Sequence, residues 1–152
     1  MSTRCGFGFL CVLVIAGIAP SAGPAFADGM ESMTLVERAT TDAVIDLGAT
    51  GDSAGDILTF ANEVFDQLNE AKVGDDNGWC VRTVAGKAWE CFWTLTLAAG
   101  QITVEGPFLD AGDSVLAVTG GTGIYADARG EMKLHARNAE GTEYDFIYNL
   151  HM

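Results

Sequence analysis

From Met33 onward, apolar and polar residues alternate along most of the chain, and turn-forming residues recur at short intervals. A period of two is the signature of half-buried β-strands. The pattern predicts strands at roughly 33–40, 43–48, 57–66, 78–84, 88–98, 102–109, 114–119, 129–136 and 143–150. They are punctuated by Gly55, the run Asp75-Asp76-Asn77-Gly78, Ala99-Gly100, Asp110-Ala111-Gly112, Gly120 to Gly123 and Glu140-Gly141. Only Val64 to Val73 could hide a short helix. Eight or nine short strands at this spacing predict an all-β barrel or sandwich.

Alternation also assigns faces. Trp89, Cys91, Trp93, Leu95 and Leu97 share one side of their strand and point inward, opposite Glu90, Thr94 and Thr96. By the same rule Ile102, Val104, Gly106 and Phe108 point inward, as do Met132, Leu134 and Ala136, and Tyr144, Phe146, Tyr148 and Leu150. The predicted interior is large, aromatic and almost dry. Two polar side chains fall on otherwise apolar faces: Glu37, with Met33, Leu35 and Ala39, and Asn62, with Leu58, Phe60 and Val64. A buried polar group requires a partner. One reading is structural, with Glu37 at the barrel rim or paired with Arg38 or Arg82, and Asn62 binding a bulged backbone. The other makes the two residues the polar end of an apolar ligand cavity.

Composition changes the picture at the N-terminus. Arg4, the apolar stretch Phe7 to Ile18 and the small-x-small Ala25-Phe26-Ala27 form an export signal of residues 1–27, leaving 125 of the 152 residues as the mature chain. The apolar stretch falls short of the ~20 residues a membrane span needs, so the expected location is secreted or periplasmic. The signal supplies much of the 49% hydrophobic content. What remains is one domain, with 28–54 giving N-terminal strands and a loose loop and 55–152 the main body of the same barrel. The formal charge of −13 argues against nucleic acid and anionic membranes as partners. Cys80 and Cys91 are then the remaining cysteines, in an oxidising setting, equidistant from a turn near Ala85-Gly86. They are expected to face each other across a hairpin and form a disulfide, with Val84 to Lys87 as a four-residue loop. There is no CxxC, and the ligands for a zinc site are missing.

The stretch VLAVTGGTGIYA, Val115 to Ala126, imitates a nucleotide-binding turn, but a dinucleotide fold needs alternating strands and helices, and the residues after Gly123 read as two strands. A glycine-rich strand connection fits better. His135 and His151 fall on outward parities, which leaves no Ser-His-Asp set.

The segment GQITVEGPFLDAGDSVLAVTGGTGIYADARGEMKL, Gly100 to Leu134, resembles the core of the allene oxide cyclase family, whose barrel is shared with the dirigent proteins. The similarity continues upstream through GDILTFANEVFD, Gly55 to Asp66, and VGDDNGWCVRT, Val73 to Thr83. It implies an eight-stranded antiparallel β-barrel, lipocalin-like in having a central hydrophobic cavity, and commonly a homo-trimer. Phe65, Phe92 and Ile147, outward and apolar, are expected either to form that interface or to lie under loops. It also implies that Asn62 and Cys80 line the cavity. The family's first-strand Glu-x-Asn is not matched; Glu37 is the one carboxylate near that position, followed two residues later by Ala39.

The implied activity is an isomerase: a cyclase that folds a hydrophobic unsaturated substrate against rigid walls and directs stereoselective ring closure without cofactor or metal. Glu37 and Asn62 would be catalytic, Asn62 donating to a developing oxide and Glu37 stabilising positive charge. Phe60, Trp93, Val104, Phe108, Phe146 and Tyr148 would form the walls. The rival reading is a secreted barrel that binds a small hydrophobic ligand, or orients intermediates as dirigent proteins do, without turning them over.

Overall fold

The computed structural model describes residues 29–152; the segment read as an export signal lies outside the described residues. The strands are β1 (Met30–Arg38), β2 (Ala43–Ile45), β3 (Ile57–Phe65), β4 (Lys72–Val84), β5 (Ala88–Leu97), β6 (Gly100–Leu109), β7 (Ser114–Gly121), β8 (Arg129–Ala136) and β9 (Glu143–His151). The helix found among the described residues is one 3₁₀ turn, Gly123–Tyr125. No helix among them is long and apolar enough to cross a membrane.

The antiparallel sheet runs β1-β9-β8-β7-β6-β5-β4-β3-β2, and pairing of β1 with β3 closes it into an eight-stranded barrel with β2 as an extra strand. β1 occupies one half of β3, where Val36, Glu37 and Arg38 face Phe65, Val64 and Glu63. β2 occupies the other half, with Ala43, Val44 and Ile45 facing Thr59, Leu58 and Ile57. The two are one strand interrupted at residues 39–42. That break shapes the polar side of the barrel cavity.

The inward parities hold for Trp89, Cys91, Trp93, Leu95, Ile102, Val104, Met132, Leu134, Phe146, Tyr148 and Leu150, all buried. Ala136 is exposed, because β8 ends there at the rim. No helix forms in 64–73: β3 runs to Phe65, and a turn led by Asn69, in the left-handed region at φ 59°, returns the chain to β4. The run Asp75 to Gly78 is not a turn but the interior of β4, paired with Thr96 to Trp93 of β5. Its turn-forming composition has another cause. Gly78 faces inward opposite Trp93, and a Cβ there would collide with the Trp93 Cβ, so the missing side chain makes room for the indole.

One end of the barrel is sealed. The 122–128 connection folds over it, Ile124 N–H donating to the Ala99 carbonyl, and buries Tyr125 and Ala128 against the core. This is the work of the glycine-rich stretch, where a Cβ on Gly121 would meet the Tyr125 carbonyl. The other end, carrying the turns at 85–87, 110–113 and 137–142, stays open. Phe65 is buried, its ring covered by the Arg38 guanidinium at 3.5 Å, which removes it from any outward surface.

Candidate functional site

At the open end, a cavity enters the barrel between β1, β3, β4, β5, β6, β8 and β9. Its walls are Leu58, Phe60, Trp93, Phe108, Leu134, Tyr144 and Phe146, with the Cys80–Cys91 pair in the lining and Glu37 and Asp42 as its acidic groups; the empty space, open mouth included, is about 360 Å³. The aromatic wall is internally braced. Phe60 meets Trp93 edge to face at 5.9 Å, Trp93 tilts against Phe146 at 5.7 Å, and Phe108 meets Tyr144 edge to face at 6.0 Å. Such arrangements fix ring positions as well as adding contact.

Asn62 organises the polar side, and the break between β1 and β2 explains why an amide stands there. Residues 40–41 have left the ladder, so their N–H groups need acceptors. Asn62 Oδ1 takes the N–H of Thr40 at 3.0 Å, the N–H of Thr41 at 2.9 Å and the Thr41 hydroxyl at 2.8 Å. The amide nitrogen donates outward to two carboxylates, Glu37 Oε1 at 2.8 Å and Asp42 Oδ1 at 2.8 Å. Every hydrogen-bonding capacity of this side chain is therefore used. Asn62 is 1% exposed and stands behind Glu37 and Asp42, outside the cavity lining.

Glu37 does not pair with Arg38 or Arg82. Arg38 donates to Asn69, side chain and carbonyl, at 2.9 and 2.8 Å. Arg82 lies over the Trp89 ring and bridges Asp52 and Asp110. The partner of Glu37 is instead Asp76, which is buried on β4 opposite Leu95 and accepts the Asn62 backbone N–H at 3.2 Å. Two carboxyls in hydrogen-bonding contact cannot both be ionised cheaply. Burial first, then the Asp76 charge, raises Glu37 well above the ordinary range, although the Asn62 hydrogen bond opposes this. Burial pushes Asp76 up to about 7, against the lowering effect of hydrogen bonds from Glu37 and the Asn62 backbone. Both shifts hold protons on the pair to higher pH than on ordinary carboxyls.

Among the described residues, three buried polar atoms have no hydrogen-bond partner: Asp76 Oδ2, Trp93 Nε1 and Tyr148 Oη. Tyr148 senses the charges of Asp76 and Glu37 and neighbours Trp93, and its hydroxyl is raised mainly by burial. The Trp93 indole lines the cavity, but its N–H is buried and lies against the Tyr148 hydroxyl. Among the described residues no His, Cys, Asp and Glu come together in a group of three or more arranged to hold a metal ion.

The cavity brings together Glu37, Phe60, Trp93, Phe108 and Phe146 of the expected residues. Val104 and Tyr148, expected as walls, lie fully buried in the packing beneath it. Cys80 and Cys91 are bonded across the hairpin, opposite each other as the register requires. The turn between them has three residues, 85–87, rather than four, and an irregularity between Arg82 and Val84 absorbs the difference. Sequence reasoning missed Asp76, Asp42 and Leu58. Asp76 was legible: it shares inward parity with Gly78 and Cys80 once β4 is allowed to run through the acidic stretch.

The allene oxide cyclase family model matches residues 32–139, more than half of the chain and including every element of the site except β9. The chain belongs to the allene oxide cyclase family. Among solved structures, a pyocyanin demethylase is 27% identical, with 78% of this chain matched to 100% of that one at a TM-score of 0.68. An exo-specific intermolecular Diels–Alderase is 14% identical, over 82% of this chain and 99% of that one, at a TM-score of 0.66. A pterocarpan synthase dirigent protein is 11% identical, over 81% and 94%, at 0.64. The last two likenesses are of fold.

Proposed function

We propose that this family member is an enzyme of the cyclase type: it confines a hydrophobic, conjugated substrate in the barrel mouth and directs stereoselective ring closure. The observation that carries the reading is a buried carboxyl pair, Glu37 and Asp76, presented by Glu37 to a largely aromatic cavity. A structural barrel would fill that space with apolar side chains.

Opening an allene oxide generates a delocalised cation and an oxide, which then close to a five-membered ring; the step is an isomerisation. The Glu37 carboxyl is the donor for the oxide, while the negative charge of the acidic groups around it stabilises the spread positive charge. Asn62 serves as a positioning residue, since both of its N–H groups already hold carboxylates. The braced rings supply handedness by restricting the bent chain to one sense. Asp28 to Met152 is the proposed mature, exported form.

The test supplies purified protein with an allene oxide formed in place from a fatty-acid hydroperoxide and resolves the product on a chiral column. An enantiomeric excess that collapses in Glu37→Gln supports the reading. A racemate at protein excess removes ring closure of this substrate class, and retained binding without turnover would leave a dirigent-like binding barrel.

A second reading is favoured by the 27% identity with the pyocyanin demethylase over that protein's whole length: the substrate is a phenazine-like flat heterocycle. Loss of pyocyanin colour on incubation with the protein, abolished in Glu37→Gln, would select it.

A further inference from the structure

Among the described residues, the acidic groups at the cavity have no cationic partner. Glu37 and Asp42 line it and Asp76 lies directly behind, yet the nearby guanidiniums are engaged elsewhere, Arg38 with Asn69 and Phe65, and Arg82 with Asp52, Asp110 and Trp89. The residues around it deepen the imbalance, since Asp28 to Asp76 holds 12 acidic against 2 basic side chains. The groups are not arranged to ligate a metal ion. What faces them is a set of aromatic rings, whose electron-rich faces attract diffuse positive charge. An independent feature is the empty space itself, about 360 Å³ with its mouth, walled by Phe60, Trp93 and Phe146 in braced contact.

We infer that the cavity selects flat aromatic molecules carrying a delocalised positive charge over neutral molecules of the same shape, and rejects the corresponding anions. This rests on the cavity being the substrate site and deepens that reading, because a stable aromatic cation imitates the charge that develops during ring closure. The charge can be permanent, as on a quaternised ring nitrogen, or acquired when Glu37 protonates a basic one.

The experiment titrates ¹⁵N-labelled protein at pH 8 and low salt with N-methylquinolinium, quinoline, naphthalene and 2-naphthoate, following the Trp93 indole N–H signal. The expected order places N-methylquinolinium about tenfold or more tighter than naphthalene, with 2-naphthoate weakest. Quinoline bound as tightly as N-methylquinolinium means that Glu37 supplies the proton; quinoline bound like naphthalene means that a permanent charge is needed, and both keep the inference. Asp42→Asn, at an exposed position, should shrink the preference for the cation about threefold without affecting the fold. Naphthalene binding as tightly as N-methylquinolinium overturns charge selection but leaves the cavity as a site for flat conjugated molecules. No binding by any of the four at millimolar concentration overturns the cavity reading, and this inference with it.

Discussion

A side-chain amide offers two donors and one accepting oxygen, and at Asn62 all of them are engaged with the protein. That saturation separates its two effects. Through its oxygen it caps the broken edge of β1; through its nitrogen it holds Glu37 and Asp42. Asn62→Ala should lower the unfolding free energy by roughly 2–4 kcal/mol, because buried donors and acceptors are left unpaired, and urea denaturation measures this. Asn62→Asp would keep the accepting oxygen but set a further carboxyl against the acidic pair. It should therefore be as damaging at pH 8 and markedly milder at pH 5.

The Glu37–Asp76 pair makes a pH prediction of definite sign. Both folded-state values are raised, so the folded protein binds protons that the unfolded chain has released. The stability from this pair is fully present below the unfolded carboxyl range and is lost as pH rises through about 7, where Asp76 ionises. The slope is at most about 1.4 kcal/mol per pH unit for each proton involved. Urea midpoints at pH 5 and pH 8 should differ in that direction, and Glu37→Gln should shrink the difference. A wild-type difference unchanged in the variant would dissociate the pair from it.

At the scale of elements, the β4–β5 hairpin carries more of the site than its sequence suggests. It supplies Asp76, Trp93 and both cysteines, and Gly78 keeps space for the indole. The bridge closes a short loop, so Cys80→Ala with Cys91→Ala should cost about 2–3 kcal/mol of unfolding free energy while leaving the barrel register intact, a pattern that thermal melts with and without reductant can verify. The facing of the two cysteines was legible because period-two alternation and distance from the turn depend on local geometry alone. Asp76 was harder to place, because Asp-Asp-Asn-Gly has the composition of a turn and only pairing with β5 overrides it. The interruption near 39–42 was legible as the gap between predicted strands 33–40 and 43–48, but its consequence was not. Nothing local announces that β1 will give up its edge to β2, and the role of Asn62 depends on that exchange. Arg82 ties elements together from the side: it joins Asp52 in the 46–56 loop to Asp110 in the 110–113 turn, so Arg82→Ala should loosen two segments at the open end, seen as faster amide exchange there.

At the scale of the barrel, among the described residues, one end is covered by Tyr125 and Ala128 and the cavity opens at the other. The open end holds a second hollow of about 440 Å³, mouth included, along Leu109, Asp110, Ser114, Ala136, Asn138 and Gly141. It shares Phe108, Leu134 and Tyr144 with the main cavity, so the edge-to-face pair of Phe108 and Tyr144 is a partition between the two. Gly141 helps set its position, since a Cβ there would come within 2.7 Å of the Tyr144 hydroxyl oxygen. Removing one leaf of the partition should join the hollows into one elongated site. Tyr144→Ala is therefore expected to admit conjugated ligands extended by several methylenes, with each added buried methylene strengthening binding by about 0.8 kcal/mol at most, whereas the wild-type protein should gain little or lose affinity along the same series. Binding of N-alkylquinoliniums from methyl to octyl, compared between the two proteins, measures this. Parallel trends would mean that the partition does not control ligand length and that the rim hollow is only a surface groove.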